Sequence, residues 1–351
     1  MARPLLSVVT MNCDAKKVSL RDWGVGAMSA ALVLWTAACS PAFAEGETSQ
    51  ESALEDAQDT TTLRLRAETQ GSVNVANAYW MARLSALAYQ SEHAQRTALT
   101  ALGAPIDDAH YRFFDQAGMQ AFYVATDHAA ILAFRGTEGG SLRDLWTDAA
   151  ALNRVQAWVG RVHRGFEEGT EALWHDGGLG DFLRSRHGYD RKVDGPRPSR
   201  LPLFVTGHSL GGALATLATM RSLIDGCLED QRATLPRSLG CKDRRIVVTS
   251  LMTFGAPRVG DPTLAAWLGA ELSERGVSAH RFVNESDVVP QVPVIDYRHV
   301  ALRNDEDAFL RYLDGGGRLV SGRFNENRSS RVSDHGIEKY VTKLAVLSGG
   351  R

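Results

Sequence analysis

Between Val75 and Tyr89 the residues Ala78, Met81, Ala82, Leu84, Ala88 and Tyr89 fall mostly at helical spacing. The spacing predicts a helix laid on a sheet. Two apolar runs follow, Gln120 to Ala125 and Ala129 to Phe134, joined by Thr126-Asp127-His128, and they read as a hairpin that ends in Arg135-Gly136-Thr137. Strands are expected again at Leu203 to Thr206, Ile246 to Phe254, His280 to Val283 and Arg298 to Leu302. Helical patterns lie between them, near Phe166 to Leu183, Leu210 to Ile224 and Pro262 to Arg275. Such alternation predicts an α/β layer fold with a mostly parallel central sheet, the hairpin adding antiparallel pairs at one side. A second hairpin is expected over Leu310 to Val320, turning at Asp314-Gly315-Gly316-Gly317.

Other stretches break the pattern. Arg184 to Arg200 is basic and rich in Gly and Pro, and Gly226 to Arg245 carries two cysteines; both read as surface insertions. Glu45 to about Thr62 is polar and acidic with few large apolar residues, as a solvated tether would be. Ahead of it, Lys16, Lys17 and Arg21 precede a weakly polar run from Gly24 to Ala38, and Ala42-Phe43-Ala44 supplies a small-x-small cleavage pattern. This is an export signal in form, its run too short for a comfortable membrane span. Thr36-Ala37-Ala38-Cys39 also resembles a loose lipoprotein box, so secretion and lipid anchoring through Cys39 both stay open. The organisation expected is thus a signal at 1–44, a tether at 45–73 and one main domain at 74–351.

With 351 residues, 44% hydrophobic and a formal charge of -2, the chain can bury a large core, and no long basic run invites nucleic acid. Loss of the signal leaves Cys227 and Cys241, which in an exported protein are expected to form a disulfide. No His/Cys cluster has metal-ligand spacing.

The chemistry concentrates in Gly207-His208-Ser209-Leu210-Gly211, set between the apolar run Leu203-Phe204-Val205 and an alanine-rich helix. A serine on such a strand-turn-helix elbow has its Oγ pushed into the open at the carboxyl edge of a sheet, and its neighbours must be small because strand and helix crowd there. Ser209 is the candidate nucleophile. A serine needs a base, an acid to orient that base, and donors for the oxyanion. Asp287, just past a strand, is the candidate acid, with Asp261 and Asp296 as competitors. The chain order Ser, Asp, His restricts the base to His299 or His335. His335 is favoured because it sits in a loop opening onto a helix with Ile337, Tyr340, Val341 and Leu344 on one face, whereas His299 lies within a strand-like run. His208 should point away from Oγ in a structural role. The backbone N–H of Leu210 and Thr137 are the candidate oxyanion donors.

Leu142, Leu145, Trp146 and Ala149 recur at i, i+3, i+4 and i+7, opposite Arg143, Asp144 and Asp148. Most such stripes face a core. Beside an oxyanion loop, this one also suits a mobile lid whose apolar face meets lipid.

Taken together, Phe134-Arg135-Gly136-Thr137, His163-Arg164-Gly165-Phe166, Gly207 to Gly212, Thr253 to Gly260 and Asn284 to Pro290 resemble the class 3 (fungal-type) lipases of the α/β-hydrolase superfamily. The resemblance covers roughly Asn74 to Ser348. It implies an α/β-hydrolase fold with helices on both faces of the sheet, and hydrolysis of carboxylic esters of fatty acids at a lipid–water interface without a cofactor. By position it carries the nucleophile to Ser209, the acid to Asp287, the base to His335, the side-chain-bearing oxyanion residue to Thr137 and the lid to Ser141 to Ala151. The ester itself is open among triacylglycerol, phospholipid and short-chain or aromatic substrates. An exported lipid-binding protein without turnover is the reading from another class.

Overall fold

The computed structural model describes residues 62–66, 72–137, 154–156, 159–194, 200–228, 244–293, 295–302, 305, 307–321 and 331–349, with backbone alone at 154–156, 191–192, 226–228 and 244. All of them lie in one compact unit within Thr48–Arg351. The expected signal, the lid residues Leu142, Leu145 and Trp146, and Cys241 fall outside the described residues, and Cys227 is described by its backbone only.

In chain order the elements are α1 (Val75–Leu87), α2 (Glu92–Ala101), β1 (Tyr111–Gln116), β2 (Met119–Ala125), β3 (Ala130–Phe134), β4 (Arg154–Gln156), β5 (Arg161–His163) and α3 (Arg164–Glu171). They continue with α4 (Leu179–His187), β6 (Gly188–Asp190), α5 (Arg191–Asp194), β7 (Leu203–His208), α6 (Leu210–Leu228), β8 (Arg244–Ile246) and β9 (Ser250–Phe254). The last are α7 (Pro262–Glu274), β10 (Ser278–Asn284), β11 (Leu310–Leu313), β12 (Leu319–Ser321) and α8 (Ile337–Leu347). The central sheet has eight strands in the order β1-β2-β3-β7-β9-β10-β11-β12. From β3 to β11 neighbours run parallel, and antiparallel hairpins close both ends. Two small antiparallel pairs, β4-β5 and β6-β8, sit apart.

The middle strands β3, β7 and β9 are buried at every residue, as parallel strands covered on both faces must be. Alternation then decides which layer each side chain joins. Leu203, Val205 and Leu251 pack into the core that holds α6 residues such as Leu214 and Leu217. Phe204, Met252, Phe254 and Phe282 pack into the opposite core with Met81 and Leu84 of α1 and Tyr340 and Leu344 of α8. Each fully buried aromatic or aliphatic side chain contributes about 1.5–3 kcal/mol. This is the α/β-hydrolase arrangement expected from the motifs.

Five expectations are corrected. The run Ile246 to Phe254 is two strands in different sheets, because Val247 N–H turns to the His187 carbonyl (3.0 Å) and Thr249 N–H to that of Leu203 (2.8 Å). Arg298 to Leu302 is no strand. Its amides go to Gly260 (Arg298, 2.8 Å) and to Ala265 of α7 (Ala301, 3.1 Å), while β11 pairs with the edge of β10. The helix over Phe166 to Leu183 breaks into α3, a wide turn at Ala172–Asp176 and α4, which restarts after Gly178 at φ 70. Arg184, placed in a surface insertion by composition, belongs to α4 and grips Asp225 of α6 through two 2.8 Å bonds. The packed chain also starts before Asn74, since Leu63 is buried and its N–H bonds the Leu102 carbonyl (3.1 Å).

Candidate active site

The register Phe134 to Gly207 between β3 and β7 makes both strands leave the sheet at one carboxyl edge, side by side. Residues 135–137 and 208–210 therefore start from the same place. Ser209 follows β7 with φ 57, a left-handed conformation that non-glycine residues adopt only where surrounding packing enforces it. The enforcement is visible in the neighbours. A Cβ on Gly207 would stand 2.2 Å from the Gly211 carbonyl oxygen, and one on Gly211 would stand 2.3 Å from that of Phe134. Ser209 N–H bonds the Phe254 carbonyl (3.0 Å), and its own carbonyl accepts from Gly212 at the start of α6 (2.9 Å).

Asp287 lies three residues past β10, and His335 sits between a short 3-10 turn at Val332–Asp334 and α8. The two segments are laced together. Arg331 N–H bonds the Ser286 carbonyl (2.7 Å), Asn284 Nδ2 donates to the Asp334 carbonyl (2.9 Å), and Ser286 N–H reaches Asp334 Oδ2 (3.3 Å). This brings His335 Nδ1 to 3.0 Å and 3.1 Å from the two oxygens of Asp287. The carboxylate, fully buried, also accepts from Val289 N–H (2.9 Å) and from the Tyr340 hydroxyl (2.5 Å). Burial, and then the charge of Asp287, hold the Tyr340 phenol well above its ordinary range, so the hydroxyl keeps its proton.

Gly255 joins the halves of the site. Its neighbour Phe254 receives the Ser209 amide, and a Cβ on Gly255 would stand 2.7 Å from Asp287 Oδ2 and 2.9 Å from His335 Nδ1. Ser209 Oγ and His335 Nε2 are both buried, and among the described residues neither has a hydrogen-bond partner. Ser209 is 0% exposed, which corrects the expectation of a hydroxyl standing in the open. The elbow fixes where Oγ points; what packs over it fixes its exposure.

The other candidates sort by geometry. His299 donates Nε2–H to the Pro290 carbonyl (2.6 Å), and burial beside Arg281 and Arg258 keeps its pKa well below the ordinary imidazole value. Asp261 caps α7, accepting from Leu264 N–H (2.9 Å), as its Gly-Asp-Pro setting suggests. Thr137 is half-buried three residues beyond β3, and Leu210 opens α6. Sequence reasoning missed the Tyr340 hydroxyl: the apolar stripe of α8 was visible, but its phenolic oxygen gives no periodic signal.

The family model described as lipase (class 3) matches residues 131–297. The secreted mono- and diacylglycerol lipase A of Penicillium camembertii is 29% identical over 191 residues, 52% of this chain and 50% of that protein. Phospholipase A1-Igamma2, chloroplastic, of Arabidopsis thaliana is 35% identical over 111 residues, 32% and 17% of the two chains. The lipase of Rhizopus oryzae is 38% identical over 91 residues, 26% and 18%. The chain thus spans half or less of the length of these curated relatives. In structure it is similar to the lipase of a fungal lipase–inhibitor complex, with a TM-score of 0.50 and 19% identity over 76% of this chain and 96% of that one. Residues 131–297 are thus similar to the class 3 lipase family.

Proposed function

We propose that the protein is a serine hydrolase that cleaves carboxylic esters of fatty acids through an acyl-enzyme on Ser209. The observation that carries this is the buried Asp287–His335 pair, which occupies Nδ1 and leaves Nε2 without a partner among the described residues. In this reading Nε2 takes the Ser209 proton as Oγ attacks the ester carbonyl. Asp287, itself held by Val289 N–H and the Tyr340 hydroxyl, stabilises the imidazolium that forms. The tetrahedral oxyanion is received by the Leu210 N–H and by Thr137. His335 then gives the proton to the departing alcohol, and water, deprotonated by the same imidazole, releases the fatty acid and regenerates Ser209.

Because Ser209 is fully buried, substrate reaches Oγ only when covering residues move aside. The family's long-chain esters are the substrates of first choice, and the amino-terminal segment directs export. The test is labelling by an active-site phosphonate ester with turnover of a p-nitrophenyl ester. Wild type should be modified at Ser209 and Ser209→Ala should neither label nor turn over; labelling or turnover in that variant overturns the assignment. Rates on triacylglycerol, phospholipid and p-nitrophenyl esters of rising chain length, measured across the solubility limit, then fix the substrate class.

A further inference from the structure

Alternation along β7 turns Phe204, Thr206 and His208 toward α1, and the last two make polar contacts there. Thr206 Oγ1 lies 2.9 Å from Ser85 Oγ. Two residues further on, His208 Nδ1 lies 2.8 Å from the hydroxyl oxygen of Tyr89, just past the end of α1. The other ring nitrogen, Nε2, lies 2.6 Å from the carbonyl oxygen of His335. A carbonyl only accepts, so Nε2 carries the proton and Nδ1 accepts from the Tyr89 O–H. Both nitrogens are thus committed while the ring is neutral. The His208 and His335 rings lie 4.4 Å apart at 32°, and the Tyr340 ring meets His208 edge-on at 6.0 Å.

We propose that Tyr89 and His208 form a positioning pair that fixes the main chain of His335 and thereby aims its Nε2 at Ser209. The inference rests on the ester-hydrolase reading above. With it, His335 is held at two points, its ring by Asp287 and its carbonyl by His208. Since His208 immediately precedes Ser209, one ring links nucleophile to base with no intervening segment. Tyr89 extends the link to the third part of the site. A Cβ on Gly136 would stand 2.1 Å from the Tyr89 hydroxyl and 2.6 Å from the His208 carbonyl oxygen, so that hydroxyl packs on the strand end that carries Thr137. Burial supports the neutral ring, holding the His208 pKa well below the ordinary value, with nearby His335 adding to the effect.

The test compares wild type with Tyr89→Phe, His208→Leu and His208→Gln in the full chain. It reads kcat and KM on a soluble p-nitrophenyl ester, phosphonate labelling of Ser209, and 15N shifts of the histidine rings. Misplacing a reacting group by about 1 Å costs about 100-fold, so His208→Leu should lose about that much in kcat. His208→Gln keeps an amide N–H for the His335 carbonyl and should recover at least about tenfold of it. Tyr89→Phe should lower kcat about 3- to 10-fold with KM within about twofold of wild type. The His208 ring should read as the neutral Nε2–H form from about pH 8 to about pH 5. Equal kcat in Tyr89→Phe and wild type, equal loss in the Leu and Gln variants, or a protonated Nδ1 would overturn the inference. Should His208→Leu not fold, Tyr89→Phe and the 15N spectrum decide alone. Wild type that is never labelled at Ser209 sinks the hydrolase reading, whereas labelled wild type with an unaffected Tyr89→Phe sinks only the positioning pair.

Discussion

The Tyr340 hydroxyl stands 2.5 Å from Asp287 Oδ2 and accepts the Asn284 N–H at 3.1 Å, so a single oxygen joins the carboxylate behind His335 to the end of β10. Tyr340→Phe removes a donor from a buried carboxylate and orphans a buried amide. Hydrogen bonds to charged groups are worth about 1.5–3 kcal/mol, and the variant should lose stability of that order. It should also lower kcat about tenfold, because Asp287 then holds His335 less firmly. Urea unfolding alongside ester turnover checks both; unaltered values in each would show that Asp287 does not depend on this donor.

His335 and His299 make opposite predictions. His335→Ala deletes the group that faces Asp287 and, if the proposed role holds, should lower kcat by about 10⁴–10⁶. His299→Ala deletes a buried donor to the Pro290 carbonyl. It should leave kcat within about tenfold while costing about 1–3 kcal/mol for the orphaned acceptor. A kinetic pattern with the two reversed would move the base to His299.

Gly255 has φ 57 and lies against both Asp287 and His335. In Gly255→Ala the new methyl, at 2.7 Å from Asp287 Oδ2 and 2.9 Å from His335 Cε1, must push the pair apart or away. Turnover should fall about 100-fold. Phosphonate labelling of Ser209 should slow in parallel, because it depends on the same base. A variant that folds and labels at the wild-type rate would show that the close approach tolerates a methyl group.

Local chemistry made much of this site legible in the chain. The elbow is written in sequence because Gly207 and Gly211 have no room for a Cβ, and the central strands because burial on both faces demands continuous apolar runs. Arg298 to Leu302 was misread since alternation says nothing about which partner a segment finds; α7 takes its amides and β11 fills the edge beside β10. α2 and β1 gave no reading at all, the helix being polar on most positions and the strand carrying Arg112 and Asp115 on its exposed side. The Tyr89–His208 contact spans 119 positions and arises only when α1 crosses β7. Pairings of that kind belong to the packing of layers, which no window of sequence contains.

Acid should weaken the fold through its buried neutral histidines. His187, bonded through Nε2 to the Tyr123 hydroxyl at 3.0 Å, has its pKa lowered to about 4 chiefly by burial, and His280 is lowered to about 3, also chiefly by burial. In the unfolded chain an imidazole titrates near 6.5. Above about pH 6.5 both states hold these rings neutral, and stability is at its full value. As the pH falls below that point the unfolded chain gains protons that the folded chain refuses, so each such group removes about 1.4 kcal/mol per pH unit. For His187 the loss continues down to about pH 4, where the folded ring also protonates, and for His280 down to about pH 3. Urea unfolding at successive pH values between about 7 and 5 should give a slope of this sign. His187→Gln, which keeps a polar group near Tyr123 but cannot titrate, should reduce that slope by close to one proton. The same slope in variant and wild type would mean that His187 is protonated in the folded protein, and so that the Tyr123 contact is made by an imidazolium.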